Sequence, residues 1–296
     1  PACVVLLRRA ARGRRHDGGM ALLISPDDLA AALRADAPPR VLDVRWRLDR
    51  PDGRPEYLAG HLPGAVFVDL ETELARHGDP GDGRHPLPGR AELEAAARRW
   101  GLDDGDAVVV YDEGGALSAA RAWWLLHRSG VADVRVLDGG VTAWAAAGLP
   151  LETGDVRPRH GTITLEPIVD GVALIDEAAA WPGHGVLLDV RAAERYRGEV
   201  EPIDPLAGHI PGAVSLPTTD HLDDGRFRDA AEIRATFVAA GAEPGVPVAA
   251  YCGSGVTAAH TAFAGALAGI DVTVYPGSWS QWSNTPGRPV ATGPQP

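Results

Sequence analysis

The segment VLDVRWRLDRPDGRPEYLAGHLPGAVFVDL, residues 41 to 70, returns as LLDVRAAERYRGEVEPIDPLAGHIPGAVSLP at 187 to 217. In the same order, VVVYDEGGALSAARAWW (108 to 124) returns as VAAYCGSGVTAAHTAFA (248 to 264), and VRVLDGGVTAWAAAGLPL (134 to 151) as VTVYPGSWSQWSNTPGRPV (272 to 290). Blocks that recur in order, 146 to 138 residues apart, mean a duplicated domain. The halves are 20 to 151 and 167 to 291, joined by the polar, Pro- and Gly-containing stretch 152 to 166 and followed by a tail at 292 to 296. A chain of 296 residues is long enough for a separate core in each half.

Within each half, short β-branched runs alternate with Ala-rich amphipathic segments. In the second half the runs are GVLLDV, GAVSL, VPVAAY and DVTVY, and the helical segments are 229 to 241 and 256 to 268. Apolar runs of this length without polar alternation suit strands covered on both faces, the pattern of a parallel sheet. The expected fold is α/β, twice over. The GHLPGA and GHIPGA segments read as turns feeding a strand, with proline fixing φ and glycine allowing the reversal.

The net charge of −12 argues against nucleic acid, whose phosphates need a basic face. All 28 basic residues are arginine. No run approaches the roughly 20 apolar residues of a membrane span, so no membrane partner is expected. Two cysteines, Cys3 and Cys252, make neither a disulfide framework nor a metal-type spacing, which fits a reducing compartment, the cytoplasm. Residues 1 to 19 carry five arginines and one acid, precede the only methionine, Met20, and contain just VVLL as an apolar run, too short for a secretory signal. They are expected to be a disordered or non-native extension.

In AAYCGSGVTAAHTAFAG, residues 249 to 265, Cys252 closes a strand and Val256 opens a helix. Loops at the carboxyl edge of a parallel sheet are where open α/β folds bind ligands. Gly253 and Gly255 allow backbone angles that turn N–H groups toward one point, the sulfur, and the helix N-terminus adds its dipole. Such a loop is expected to hold Cys252 as a thiolate nucleophile. A cysteine that merely filled a core would be followed by apolar residues rather than by two glycines flanking a serine.

The paired D-x-R and G-H-x-P-G-A blocks, with CGSGVTA in the second half only, resemble the two-domain rhodanese-like sulfurtransferases over essentially all of 22 to 291. The resemblance implies two α/β domains, each a parallel five-stranded sheet flanked by helices, with the active site between them. It also implies ping-pong chemistry, in which Cys252 takes a sulfane sulfur as a persulfide and hands it to a thiol, such as thioredoxin or glutathione, or to cyanide. No metal or organic cofactor is implied. Asp112 stands where the first half would carry the cysteine, and a carboxylate cannot accept sulfane sulfur, so that half is expected to be catalytically silent.

The neutral loop, with Gly253 and Ser254, is similar to the 3-mercaptopyruvate branch, whereas thiosulfate enzymes resemble CRKGVTA; 3-mercaptopyruvate is the expected donor and thiosulfate the alternative. Gly253, Gly255, Val256 and Thr257 would cradle the donor, and Arg195 matches the family's substrate arginine, able to hold a carboxylate by two parallel hydrogen bonds. The second family arginine is missing, with Asp204 at its place and Arg197 a possible substitute. The resemblance further implies a relay of Ser254, His85 and an acid, here Glu71 where aspartate is usual.

Asp43 with Arg45, Asp189 with Arg191, and His61 and His209 read as structural, since they recur in the silent half. Trp279 and Trp282 read as core, with Trp279 a candidate wall of the donor pocket. A cysteine phosphatase would need arginine at position 258, which is alanine. A noncatalytic binding module would commonly have lost the cysteine or the loop glycines.

Overall fold

The computed structural model describes residues 21–296, so the extension, Cys3 and Met20 lie outside the described residues. The first half runs β1 (Leu23–Ile24), α1 (Pro26–Ala32), β2 (Arg40–Asp43), α2 (Arg54–Ala59), β3 (Val66–Phe67), α3 (Leu70–Glu73), α4 (Arg90–Arg99), β4 (Val108–Tyr111), α5 (Ala119–Arg128), β5 (Val134–Leu137) and α6 (Gly140–Ala146). The second runs α7 (Ile175–Ala180), β6 (Val186–Asp189), α8 (Ala193–Tyr196), β7 (Val214–Ser215), a short hairpin of β8 (Leu222–Asp223) and β9 (Arg226–Phe227), α9 (Ala230–Ala239), β10 (Val248–Tyr251), α10 (Val256–Leu267), β11 (Val272–Val274) and α11 (Ser278–Ser283).

The first sheet is parallel throughout, in the order β1-β5-β4-β2-β3. The second repeats it as β11-β10-β6-β7. Its fifth position, the counterpart of β1, shrinks to a single parallel bridge between Val172 and Val274. Gly171 at φ 72° cannot extend the strand backward and Leu174 already caps α7, which leaves room for one pair. The central strands β4 and β10 are buried at every residue, as parallel strands covered on both faces must be.

The joining stretch forms no helix and lies along the first half. Gly161 N–H donates to Arg98 O at 2.8 Å and Ile163 N–H to Leu102 O at 3.1 Å, with Ile163 and Leu165 buried.

The two D-x-R pairs behave alike. Arg45 Nε and Nη2 grip Asp43 and Nη2 donates to Gly60 O at 2.7 Å; Arg191 grips Asp189 and donates to Gly208 O at 2.6 Å. Each pair thus ties a strand end to the glycine just before the G-H-x-P-G-A histidine or within that motif. His61 and His209 donate from Nδ1 to the carbonyls of Tyr57 and Tyr196 and stack on those rings.

Helices α5 and α10, each following one of the two duplicated loops, carry almost wholly buried residues and pack against each other, Trp123 edge-on to Phe263 at 4.7 Å. Through them one apolar cluster, including Trp124, Leu125, Val256 and Phe263, continues from one half into the other. No described helix is long and apolar enough to cross a membrane.

Candidate active site

Cys252 follows the last residue of β10 and precedes α10 by four positions. The N–H of Gly255 donates to its Sγ at 3.0 Å. Gly255 takes φ 84°, and a Cβ there would lie 2.4 Å from Pro276 O, so glycine is required for that N–H to point at the sulfur. The rest of the loop is pinned by the start of α11. Cys252 N–H donates to Ser278 Oγ at 3.1 Å, and Trp279 N–H and Ser280 N–H donate to the carbonyls of Cys252 and Gly253, both at 2.9 Å. Ser278 holds φ 53°, a strained angle for a residue with a Cβ, and its hydroxyl lies 4.0 Å from Sγ.

The first-half loop turns its N–H groups toward a carboxyl group instead of a sulfur. Asp112 Oδ1 accepts from the N–H groups of Gly114 and Ala116 at 3.0 and 3.1 Å, and Oδ2 from those of Ser118 and Ala119 at 3.0 and 3.2 Å. In the first half the chain thus directs four loop N–H groups at its own carboxyl side chain, whose pKa burial pushes up against those bonds.

Behind the catalytic loop, His85 Nδ1 lies 2.7 Å from Ser254 Oγ, and its Nε2 lies 3.1 and 3.2 Å from the two oxygens of Glu71. The His85 hydrogen bond holds the Glu71 carboxyl below its ordinary range, and Trp46 Nε1 donates to the same carboxylate at 2.7 Å. An ionised Glu71 can only accept, so Nε2 carries the proton and Nδ1 is left to accept from the Ser254 hydroxyl. The three relay residues, taken from two halves, meet.

A cleft of about 880 Å³ between the halves is lined by Cys252, Gly253, Ser254, Val256 and Thr257 on one side and by Asp112 to Gly114 on the other. Gly255 sits beneath the sulfur rather than on the cleft surface. Arg195 lines the cleft, but not as a free cation. Its Nη2 donates to Glu201 at 2.7 Å and to Asp204 at 3.3 Å. Asp204 in turn binds Arg84, which reaches over from the first half. A Cβ on Gly253 would lie 3.0 Å from Arg84 Nη2 and 3.4 Å from Arg195 Nη1, so two guanidinium groups converge on the residue next to Cys252. Burial pushes the Asp204 carboxyl up, with Arg84 opposing and Glu201 adding to it. Counting Arg191 with Asp189, three cations face three carboxylates here.

Arg197 is a correction. It pairs with Glu199 and does not line the cleft, because it follows the last turn of α8 and points along the surface. Trp279 likewise does not wall the cleft; it is fully buried, its Nε1 donating to Leu206 O, with Arg191 over its ring at 4.6 Å. Position 258 is a fully buried alanine. Two residues were missed by sequence reasoning. Arg84 directly precedes His85 in GRHPLPG, and Arg121 is the one charge within the apolar stretch AARAWWLL, a signal that could have found it.

The Rhodanese-like domain family matches twice, at residues 25–147 and 174–285. A Mycobacterium tuberculosis protein named for thiosulfate sulfurtransferase activity, SseB, is 48% identical over 276 residues, covering 92% of this chain and 97% of that one. A Pseudomonas aeruginosa protein named for 3-mercaptopyruvate sulfurtransferase activity is 47% identical over 283 residues, covering 92% and 99%. Among solved structures, SseA from Escherichia coli, described as a 3-mercaptopyruvate sulfotransferase with the rhodanese fold, superposes with a TM-score of 0.79 at 33% identity, covering 88% of this chain and 99% of that one. With both halves matched and similarity running the length of these relatives, the chain belongs to the rhodanese-like family in its two-domain form and is an enzyme of the sulfurtransferase class.

Proposed function

We propose that the chain moves a sulfane sulfur from 3-mercaptopyruvate to a thiol through a persulfide on Cys252. The observation that carries this reading is the Gly255 N–H on Sγ at the start of a 12-residue helix, with Ser254, His85 and Glu71 linked behind it. In the first half-reaction the Cys252 thiolate attacks the donor sulfur and the S–C bond breaks with its electron pair left on carbon. The relay takes the donor's S–H proton through Ser254 to His85 and returns it to that carbon, releasing pyruvate and leaving the persulfide anion. In the second, an acceptor thiol, or cyanide, attacks the outer sulfur and Cys252 departs as thiolate.

Arg195 and Arg84 are the donor's carboxylate clamp in this reading, with Asp204 holding both arginines until the donor replaces it. A near-neutral cluster suits a monoanionic carboxylate better than a dianion, which favours mercaptopyruvate. The second reading, thiosulfate as donor with sulfite released, is supported by the name of the mycobacterial relative. The cleft is near the upper end of the size range for small-molecule pockets, so once pyruvate has left it can admit a thiol of glutathione size.

Incubation with 3-mercaptopyruvate is expected to add one sulfur to Cys252, seen by mass spectrometry, and Cys252→Ser to abolish it. Steady-state rates with the two donors side by side decide between them. A large preference for thiosulfate overturns the donor assignment, and an unmodified Cys252 with both overturns the mechanism.

A further inference from the structure

Arg121 lies on α5 of the silent half, fully buried. Four of its five N–H groups go to backbone carbonyls: Nε and Nη2 to Leu74 O at 3.3 and 3.2 Å, Nη2 also to His85 O at 3.0 Å, and Nη1 to Gly255 O at 3.2 Å. Carbonyls satisfy the donors but do not cancel the charge. Among the described residues no carboxylate lies within ion-pair distance of it. The other cations near the loop are matched, Arg195 by Glu201 and Asp204, Arg84 by Asp204, and Arg191 by Asp189. A buried charge without a counter-charge is costly enough that its retention calls for a reason.

The bonds it makes point to one. Gly255, whose carbonyl Arg121 holds, is the residue whose N–H reaches Cys252 Sγ, and His85, whose carbonyl it also holds, is the partner of Ser254. A single guanidinium from one half thus ties together the sulfur loop of the other half and the relay histidine.

The duplication supplies an internal comparison. Gly115 is the silent loop's counterpart of Gly255, and its carbonyl is also held from the opposite half, by His260 Nε2 at 2.9 Å. Burial holds that imidazole down to about 3, so it is neutral, and Thr218 Oγ1 donates to its Nδ1 at 2.6 Å. The silent loop holds the Asp112 carboxyl on its own N–H groups, and the chain brings a neutral ring to it. To the loop that carries a cysteine it brings a cation. Burial lowers Arg121 to about 10, and Cys252 is the group that opposes this.

We propose that Arg121 is the buried counter-charge of the Cys252 thiolate and the positioning residue of its loop, so that the noncatalytic half supplies the cation that activates the nucleophile. This rests on Cys252 being the sulfur-carrying nucleophile. The charged and titratable groups around Cys252 are Arg121 on α5 and His85 with Glu71 behind its loop, Arg84, Arg191 and Arg195 with their acids Asp189, Glu201 and Asp204, and, further along the cleft, Asp112, Glu113, Arg47, Asp49, Asp224 and Arg226.

The test is iodoacetamide alkylation of Cys252 against pH in the full chain, followed on the Cys252 peptide by mass spectrometry so that Cys3 does not contribute. Arg121→Gln is expected to shift the alkylation midpoint upward by about one pH unit, a roughly tenfold loss of thiolate at lower pH, while Arg121→Lys, which keeps the charge but loses the fork, stays close to the native profile with a reduced turnover number. An unchanged midpoint in folded Arg121→Gln overturns the proposal. A second measurement needs no Arg121 variant. The native protein should gain thermal stability over Cys252→Ala between pH 5 and 9, as the thiolate forms opposite the cation, and a pH-independent difference also overturns it. Sulfur loading from the donor is read separately; if the +32 dalton species forms while both profiles stay flat, the persulfide mechanism stands and the role of Arg121 falls.

Discussion

Asp204 occupies the place where a second donor-binding arginine was expected, yet its effect is to collect two arginines rather than to remove one. It holds Arg84 from the first half and Arg195 from the second, so the missing cation is replaced from across the cleft. If Asp204 competes with the proposed donor for these guanidinium groups, variants of the acid and of the arginines are expected to act in opposite directions. Arg84→Ala should raise KM for 3-mercaptopyruvate by roughly tenfold or more, the value of one charge-assisted hydrogen bond, with a smaller change in kcat. Asp204→Asn should lower KM. Steady-state kinetics on the two variants check this, and shifts in the same direction would contradict a competing carboxylate. Glu71, longer than the usual aspartate, still contacts His85, and Trp46 Nε1 donates to the same oxygen.

At the scale of the element, the strand-loop-helix unit was legible from residue types alone. Cys252 ends an apolar run, Gly255 takes the angle only glycine takes cheaply, and Val256 begins α10 where expected. Helix α9, expected from its Ala-rich segment, opens with a capping box of Asp229 and Glu232, each accepting from the other's backbone N–H at 2.8 and 3.2 Å. The short fifth strand of the second sheet was less legible, since a glycine next to Val172 decides its length. Gly255→Ala is expected to cost about 1–3 kcal/mol in strain alone at φ 84°, with the contact to Pro276 O displacing the loop as well. Urea unfolding should show the loss of stability, and turnover should fall more than tenfold because the N–H leaves the sulfur; an active, fully stable variant would refute the cradle.

At the scale of the whole molecule, the two halves share one apolar cluster and exchange polar side chains in both directions, Arg121 one way and His260 the other. His260 and His221 are buried and held neutral, at about 3 and about 4, in both cases chiefly by burial. Their folded values lie below the unfolded value near 6.5, so their contribution to stability is complete above that pH and is lost as pH falls from about 6.5 toward 4 and 3. Denaturant unfolding at pH 7 and pH 4 should therefore differ by several kcal/mol, and His260→Gln should flatten the acid side of the profile by one proton. An equal slope in the variant would mean that His260 is not titrating on unfolding.

The sequence by itself determined the duplication, the alternation of strand and helix, and a cysteine at a strand end in one half where the other half carries Asp112. These follow from local patterns: periodicity, glycine conformation, and the comparison of one half with the other. It also identified Ser254, His85 and Glu71 through resemblance. What only the tertiary structure decided was which side chains cross between the halves. Whether Arg121 is a surface charge or a buried one, whether Arg84 meets Arg195, and whether Arg197 or Trp279 faces the cleft all depend on how α5 and α10 pack, and distance through space is not written in distance along the chain.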